Sequence, residues 1–181
     1  MSVFVNREGN ISVFRVGIFM LIFGIIIVVG GYIIFTIEQS RFNSPLNIDS
    51  YPGALEMGID TRASNQQIVI YRVPDATVEE VFQYYDAEMV DHYDADPDPL
   101  SRENDERCSR FPASGAYPDY VEGSGNVQYY YSCLFNDSQY GNNRWTEVRI
   151  MPGLLTLAAD GSEIENTLGQ TRIEYDQGWQ R

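Results

Sequence analysis

The longest apolar run in the chain spans residues 16–37, reads VGIFMLIFGIIIVVGGYIIFTI and contains no charged residue. A helix of this length is about 33 Å long, enough to cross the hydrocarbon core of a bilayer. Cleaved signal peptides have a shorter apolar region that ends at a small-x-small site, and Thr36-Ile37-Glu38 offers no such site. No cysteine stands directly after the run to accept a lipid. We therefore predict an uncleaved single-pass anchor preceded by a tail of residues 1–15.

Three glycines of the anchor, Gly17, Gly24 and Gly31, recur at intervals of seven residues. This repeat places them on nearly one stripe of a helix. Glycine lets a neighbouring backbone approach closely, and small residues at this spacing suit left-handed packing against another transmembrane helix. The alternative is that glycine is simply common in membrane helices. We favour packing, which makes other transmembrane subunits expected partners, besides the lipid bilayer.

Beyond the anchor, the pattern of apolar positions changes. Residues 38–65 have little periodicity and predict a tether with an irregular entry to the domain. Residues 67–73 (QIVIYRV) are rich in β-branched and aromatic side chains and predict a strand. Thr77 and Glu80 have the spacing of a capping box, which predicts a helix over residues 78–89. Its apolar stripe consists of Val78, Val81, Phe82, Tyr85 and Met89.

The remaining residues alternate between turn signals and short apolar runs. Residues 90–120 are rich in proline and predict a loop, and four strands are predicted at 126–135, 144–151, 154–158 and 171–175. Turns are expected at Gly141-Asn142-Asn143, Pro152-Gly153 and Asp160-Gly161. A strand, a helix and then a meander of strands predict an α+β domain over residues 66–181, with one main helix covering an antiparallel sheet. Period-two alternation places Tyr129 and Tyr131 on one face of the sheet and Tyr130 on the other.

Charge is concentrated after the anchor. Arg7, Glu8 and Arg15 precede it, so the residues from Glu38 onwards carry 25 acidic and 10 basic side chains, a formal net charge of −15. Such a domain repels phosphate backbones, which argues against nucleic acid as a partner, and favours a protein with a basic surface or a divalent cation. All basic residues are arginine, which excludes Schiff-base and P-loop lysine chemistry.

The two cysteines, Cys108 and Cys133, both lie in the domain. They form either a disulfide or two buried thiols, and we favour the disulfide because the chain carries a membrane anchor. A disulfide requires an oxidising compartment. The arginines around the anchor, two before and one after, also favour a cytoplasmic N-terminus. We therefore expect the protein in the bacterial inner membrane, with its domain in the periplasm or outside the cell.

Candidate ligands for a metal lie in the acidic segment 91–106 (DHYDADPDPLSRENDE). Asp94, Asp96 and Asp98 alternate like the first three ligands of a calcium loop. Pro99 replaces the glycine of the sharp turn, however, and Asp105 replaces the final bidentate glutamate. We therefore favour a solvated acidic loop over a calcium site.

The sequence offers few groups for catalysis or cofactor binding. His92 is the only histidine and lies between Asp91 and Asp94, which predicts an exposed imidazolium. One histidine and two oxidised cysteines are a poor zinc ligand set, and C-x-x-C-H, G-x-S-x-G and four-cysteine iron–sulfur patterns are absent from the sequence. We expect no cofactor and no enzymatic activity.

Two short motifs resemble those of a bacterial family. Tyr51-Pro52-Gly53-Ala54 follows the anchor, and Val81-Phe82-Gln83-Tyr84-Tyr85 lies in the predicted helix. This pattern resembles small, uncharacterised single-anchor extracytoplasmic proteins, in which a Y-P-G-A segment precedes a strand and a helix with an F-Y pair. Tyr84-Tyr85 departs from F-Y, and the cysteine-bearing segment is not part of the pattern. The resemblance implies the fold type and location, and no activity.

Together these features favour a non-catalytic, single-pass accessory subunit of a larger membrane complex, of the kind found in electron transport or photosynthesis. The alternative is a free, membrane-anchored binding or sensor domain for a cation or a basic protein. The glycine stripe favours the first function, and the negative charge of the domain is compatible with both.

Overall fold

The computed structural model describes residues 13–94, 108–121, 124–139, 142–158 and 160–180. The chain divides into two units, Met1–Arg41 and Phe42–Arg181. The first contains helix α1, Val13–Arg41. In the second, the described residues form helix α2, Val78–Asp94, and eight strands. The strands are β1 Leu55–Ala63, β2 Gln66–Val73, β3 Ser109–Phe111, β4 Tyr130–Gln139, β5 Asn142–Pro152, β6 Leu155–Leu157, β7 Glu163–Asn166 and β8 Thr171–Trp179.

Helix α1 contains the apolar run and extends past it at both ends. Its candidate span Val16–Arg41 contains an 18-residue window with a mean hydropathy of 2.9, none of which is buried inside the structure. By length and composition this segment can cross a membrane. The last turn is polar, and Arg41 Nη1 lies 3.4 Å from Glu38 Oε2. The helix therefore continues past the predicted end at Ile37 through four residues that are not apolar.

Six strands form one antiparallel sheet in the order β1-β2-β8-β5-β4-β3. Strand β8 lies between β2 and β5, so the last strand of the chain joins the first hairpin to the later one. Strands β6 and β7 pair with each other in a separate two-stranded sheet. The predicted α+β fold, with an antiparallel sheet and one main helix in the domain, is confirmed.

Helix α2 covers one face of the six-stranded sheet. Thr77 N–H donates to Glu80 Oε2 at 2.8 Å and Glu80 N–H donates to Thr77 Oγ1 at 3.3 Å, which confirms the predicted capping box. The predicted stripe is the buried side of the helix, with Phe82 half-buried at its border. The stripe packs on residues from four strands: Val69, Cys133, Phe135, Val148, Ile150, Ile173 and Tyr175.

The structure differs from the expectation for residues 38–65, which are not all irregular. Phe42 and Leu46 are buried, and Leu55–Ala63 forms the edge strand β1, paired with β2. Leu55, Met57 and Ile59 do alternate with other residues, a short strand signal that the prediction missed, although eight of the nine residues of β1 are exposed. The β1–β2 register has two irregularities, at Met57 and Arg62. The strand is specified by its pairing with β2 and not by burial of one face.

Several predicted boundaries also change. Helix α2 continues to Asp94, and β3 begins at Ser109, so part of the predicted loop over residues 90–120 is regular structure. Strand β4 begins at Tyr130, four residues later than predicted. Asn142 and Asn143, predicted in a turn, pair with Gln139 and Ser138 as the first residues of β5. Strand β8 extends to Trp179, and β7 was not predicted.

Candidate functional site

The glycine stripe of α1 is open on the surface of the helix. A β-carbon built on Gly17, Gly24 or Gly31 would meet no atom of another residue within 4 Å, and the same holds for Gly30, which lies off the stripe. The apolar side chains around these glycines are exposed as well. The shallow stripe therefore has room for a second backbone, as close helix packing in a membrane requires.

The segment Tyr51–Ala54 forms a tight turn at the entry to the domain. Ala54 N–H donates to the Tyr51 carbonyl oxygen at 2.9 Å, Pro52 occupies the second position of the turn, and Gly53 the third, with φ of +83°. These are the residues that a type II turn requires, because its third position favours glycine. The Tyr51 ring meets the Tyr84 ring edge-on, with 5.3 Å between their centroids. The Tyr51–Ala54 motif and the Val81–Tyr85 motif are thus in direct contact.

A chain of hydrogen bonds fixes this turn to the core. Tyr51 N–H donates to Tyr85 Oη at 2.8 Å, Tyr85 Oη and Tyr175 Oη are 2.5 Å apart, and Tyr175 Oη donates to the Asp49 carbonyl oxygen at 3.2 Å. Burial raises the pKa of both tyrosine hydroxyls. Leu46 is held similarly, since its carbonyl oxygen accepts hydrogen bonds from Thr146 Oγ1 and Gln177 Nε2. Residues 46–51 are therefore part of the folded domain.

An acidic cleft of about 310 Å³ lies between this segment and α2. Three carboxylates line it: Asp49 and Asp91 are exposed and Glu88 is half-buried. His92 also lines the cleft and is half-buried, unlike the exposed histidine predicted from the sequence. Its ring packs edge-on against Phe135, with 5.5 Å between centroids, and its Nε2 lies 3.4 Å from the Asn136 carbonyl oxygen. The cleft suits a cationic group.

Only one of the three predicted calcium ligands lies among the described residues. Asp94 is the last residue of α2, whereas Asp96 and Asp98 lie outside the described residues. Within the described parts of the chain, no three histidine, cysteine, aspartate or glutamate side chains are grouped as metal ligands. The calcium hypothesis for Asp94, Asp96 and Asp98 therefore gains no support from the described residues.

The predicted disulfide is present in the structure: the sulfur atoms of Cys108 and Cys133 are 2.00 Å apart. Cys133 is fully buried in β4, and Cys108 directly precedes β3. Cys108 N–H also donates to Asp86 Oδ1 of α2 at 3.1 Å. The bond thus attaches the edge of the sheet to its interior, next to the covering helix.

The three consecutive tyrosines alternate as predicted. Tyr131 faces α2 and stacks on Phe82, with 4.3 Å between centroids, whereas Tyr130 stacks on Phe111 on the opposite face. Tyr129 Oη donates to Glu79 Oε1 at 3.3 Å. All three rings are engaged in packing within the domain, which supports their interpretation as ordinary sheet residues.

The sheet face opposite α2 carries ion pairs within β5, between β5 and β8, and between β8 and β7 of the two-stranded sheet. Arg149 Nη2 lies 2.5 Å from Glu147 Oε2 and 3.6 Å from Asp176 Oδ2, and Arg172 Nη1 lies 2.5 Å from Glu165 Oε1. Burial opposes ionisation of Glu147, but the hydrogen bonds from Arg149 and Ser132 outweigh it and lower its pKa. Each arginine thus pairs with two carboxylates, and the pairs restrain β5, β7 and β8 relative to one another.

Sequence reasoning could not find the acidic cleft, because its residues come from the entry segment, α2 and β4. No spacing in the sequence relates Asp49 to Glu88, since their segments are brought together by tertiary contacts such as the tyrosine hydrogen bonds. No protein-family model matches the chain, and neither a curated protein nor a solved structure matches it.

Proposed function

We propose that this protein is a non-catalytic, single-pass subunit of a membrane protein complex. In this proposal α1 packs against another transmembrane helix through Gly17, Gly24 and Gly31, and the acidic domain lies on the extracytoplasmic side of the inner membrane. The observation that carries the proposal is the open glycine stripe on an apolar helix long enough to span a bilayer.

The disulfide and the charge of the domain support this arrangement. A disulfide persists in an oxidising compartment, which the cytoplasm of most organisms is not. An acidic surface is repelled by anionic lipid headgroups and is therefore free to meet a protein partner with a basic surface. The acidic cleft offers three carboxylates for such a contact.

The experiment is purification of the tagged full-length chain from its own cells in a mild detergent, followed by mass spectrometry of co-purifying proteins. We expect one or more membrane proteins to co-purify with the wild type and to be recovered about tenfold less with Gly24→Leu, with a larger loss for the triple change at Gly17, Gly24 and Gly31. A β-carbon at any of the three positions lies in open space within the described chain, so a loss reports on the partner.

The matched control is Gly30→Leu, the same change on a different side of the same helix. It should leave co-purification at the wild-type level, because Gly30 lies off the stripe. Equal recovery with Gly24→Leu and Gly30→Leu would contradict helix docking through the stripe.

The acidic cleft favours a second candidate function, a free anchored domain that binds a basic protein. In that case the partner would be a soluble or extracytoplasmic protein, its recovery would not change in any glycine variant, and it would dissociate at high salt because screening weakens exposed charge pairs.

A further inference from the structure

A second cleft, also of about 310 Å³, opens at one end of the six-stranded sheet. It lies where β2 and β5 begin and β8 ends, so three neighbouring strands contribute to it. The described residues that line it are two tryptophans, a glycine and four amide side chains, and none of them is charged. A neutral cleft is unusual on a domain with a formal net charge of −15.

Trp145 forms one wall of this cleft by leaning over Gly178 on the adjacent strand. The two residues are register partners of β5 and β8, and a β-carbon on Gly178 would lie 2.7 Å from Nε1 and Cε2 of the indole. Any side chain at position 178 would therefore push the indole away. Glycine here allows the indole to lie against the sheet, half-exposed at the edge of the cleft.

Four polar groups of the cleft are available to a ligand. Among the described residues, neither the Trp145 nor the Trp179 indole N–H has a hydrogen-bond partner, and the same is true of the side-chain amides of Asn65 and Gln180. Gln66 is fixed differently, since its Nε2 donates to Asp176 Oδ1 at 3.2 Å. Donors and acceptors thus surround an aromatic surface.

From this combination we infer that the cleft binds a neutral saccharide. One face of a pyranose ring is lined by C–H groups, which pack on the electron-rich face of an indole, and its hydroxyl groups match amide and indole N–H partners. A phosphate-bearing ligand would gain no cationic partner in the cleft and would be repelled by the net charge of the domain. The volume suits a short oligosaccharide in an open cleft.

Titration of the full-length, ¹⁵N-labelled chain in micelles tests this inference. The chain contains only two tryptophans, and both line the cleft, so each of the two indole N–H signals is a probe. The detergent must lack a sugar headgroup, because maltosides would compete. The probes are maltotriose, cellotriose and chitotriose at up to about 10 mM, since we expect a dissociation constant on the order of 1 mM.

We expect at least one trisaccharide to shift both indole signals saturably. Trp145→Ala should weaken binding about tenfold, and Gly178→Ala should do the same with both indoles retained, because its β-carbon displaces the Trp145 ring. Trp145→Tyr should retain most of the affinity. Leu157→Ala, a change at an exposed apolar residue of the separate two-stranded sheet, should bind as the wild type does.

Two results would overturn the inference: no saturable shift with any of the three sugars, or unchanged binding in Gly178→Ala. The wild-type titration decides the question even where a variant does not fold. Co-sedimentation with insoluble cellulose and chitin then distinguishes two sources of the ligand, a surface polysaccharide and a soluble oligosaccharide. The outcome is independent of the subunit function proposed above, which rests on α1.

Discussion

At the scale of single residues, Tyr85 and Tyr175 connect three parts of the domain. Their hydroxyl groups form the middle of the hydrogen-bond chain that joins the entry turn, α2 and β8. Both side chains are buried, and burial raises the pKa of both hydroxyls because ionisation in the core is not compensated by solvent. The pair is therefore stable only while both hydroxyls keep their protons.

We predict that the domain loses stability above about pH 10. Below that pH, tyrosine is neutral in both the folded and the unfolded chain, and the contribution of the pair is fully present. Above it, the unfolded chain releases protons that the folded chain retains, so each buried tyrosine lowers the free energy of unfolding by up to about 1.4 kcal/mol per pH unit. Urea unfolding of the full chain in micelles at several pH values, followed by tryptophan fluorescence, measures this slope.

The double variant Tyr85→Phe, Tyr175→Phe provides the comparison. Above pH 10, its free energy of unfolding should fall less steeply with pH, because the contribution of two buried tyrosines is removed. Tyr120→Phe is the control: the Tyr120 hydroxyl has no hydrogen bond among the described residues, so its slope should match the wild type. The remaining slope comes from tyrosines such as Tyr71 and Tyr84, whose pKa burial also raises. Equal slopes for the wild type and the double variant would contradict the prediction.

The sequence predicts the burial of Tyr85 but not the function of its hydroxyl. Helical spacing places this residue on the apolar stripe, and that placement is local information. Its hydrogen-bond partners are 34 and 90 residues away in the chain, so they are set by tertiary structure alone. The same holds for Gly178, which is separated from Trp145 in sequence and joined to it by strand pairing.

At the scale of elements, the disulfide compensates for the small number of backbone hydrogen bonds that β3 forms. Strand β3 has only three residues and pairs with β4 alone, so few hydrogen bonds hold this edge. The Cys108–Cys133 bond closes a loop with a sequence separation of 25 and reduces the conformational entropy of the unfolded chain. It therefore stabilises an element that is too short to be stable by pairing.

Loss of this disulfide should lower the free energy of unfolding by about 3.5 kcal/mol, the chain-entropy value for a loop of this size. The measurement is urea unfolding of the oxidised wild type against the double variant Cys108→Ser, Cys133→Ser, followed by tryptophan fluorescence. Reductant should destabilise the wild type and leave the variant unchanged. Equal unfolding midpoints for the oxidised wild type and the variant would show that the bond does not restrain the domain.

Helix α2 and strand β1 show which elements a sequence specifies locally. The capping box and the apolar stripe of α2 are local signals, and the structure confirms both. Strand β1 gives a weaker local signal, since Leu55, Met57 and Ile59 alternate with other residues over a short stretch and their side chains are exposed. Its pairing comes from the hairpin with β2.

At the scale of the whole molecule, the division of the chain follows its hydropathy. The apolar unit Met1–Arg41 and the acidic unit Phe42–Arg181 differ in composition, and the contrast predicts an anchor and a domain. The clefts could not be predicted, because each is formed by segments that are distant in sequence. The prediction of a membrane anchor thus follows from composition, whereas the clefts follow from the fold.

Orientation is the remaining prediction at this scale, and the disulfide makes it measurable. The described chain has no free cysteine, so one introduced thiol becomes a unique label site. We expect Ser64→Cys, in the exposed turn between β1 and β2, to react with a membrane-impermeant maleimide on cells with a permeable outer layer. Ser2→Cys, in the tail, should react only after the inner membrane is disrupted.

This orientation has two physical reasons. Two arginines precede the span and one follows it, which favours a cytoplasmic tail, and the disulfide belongs to an oxidising compartment. The wild type should remain unlabelled in both conditions, and labelling of Ser2→Cys with protection of Ser64→Cys would reverse the topology.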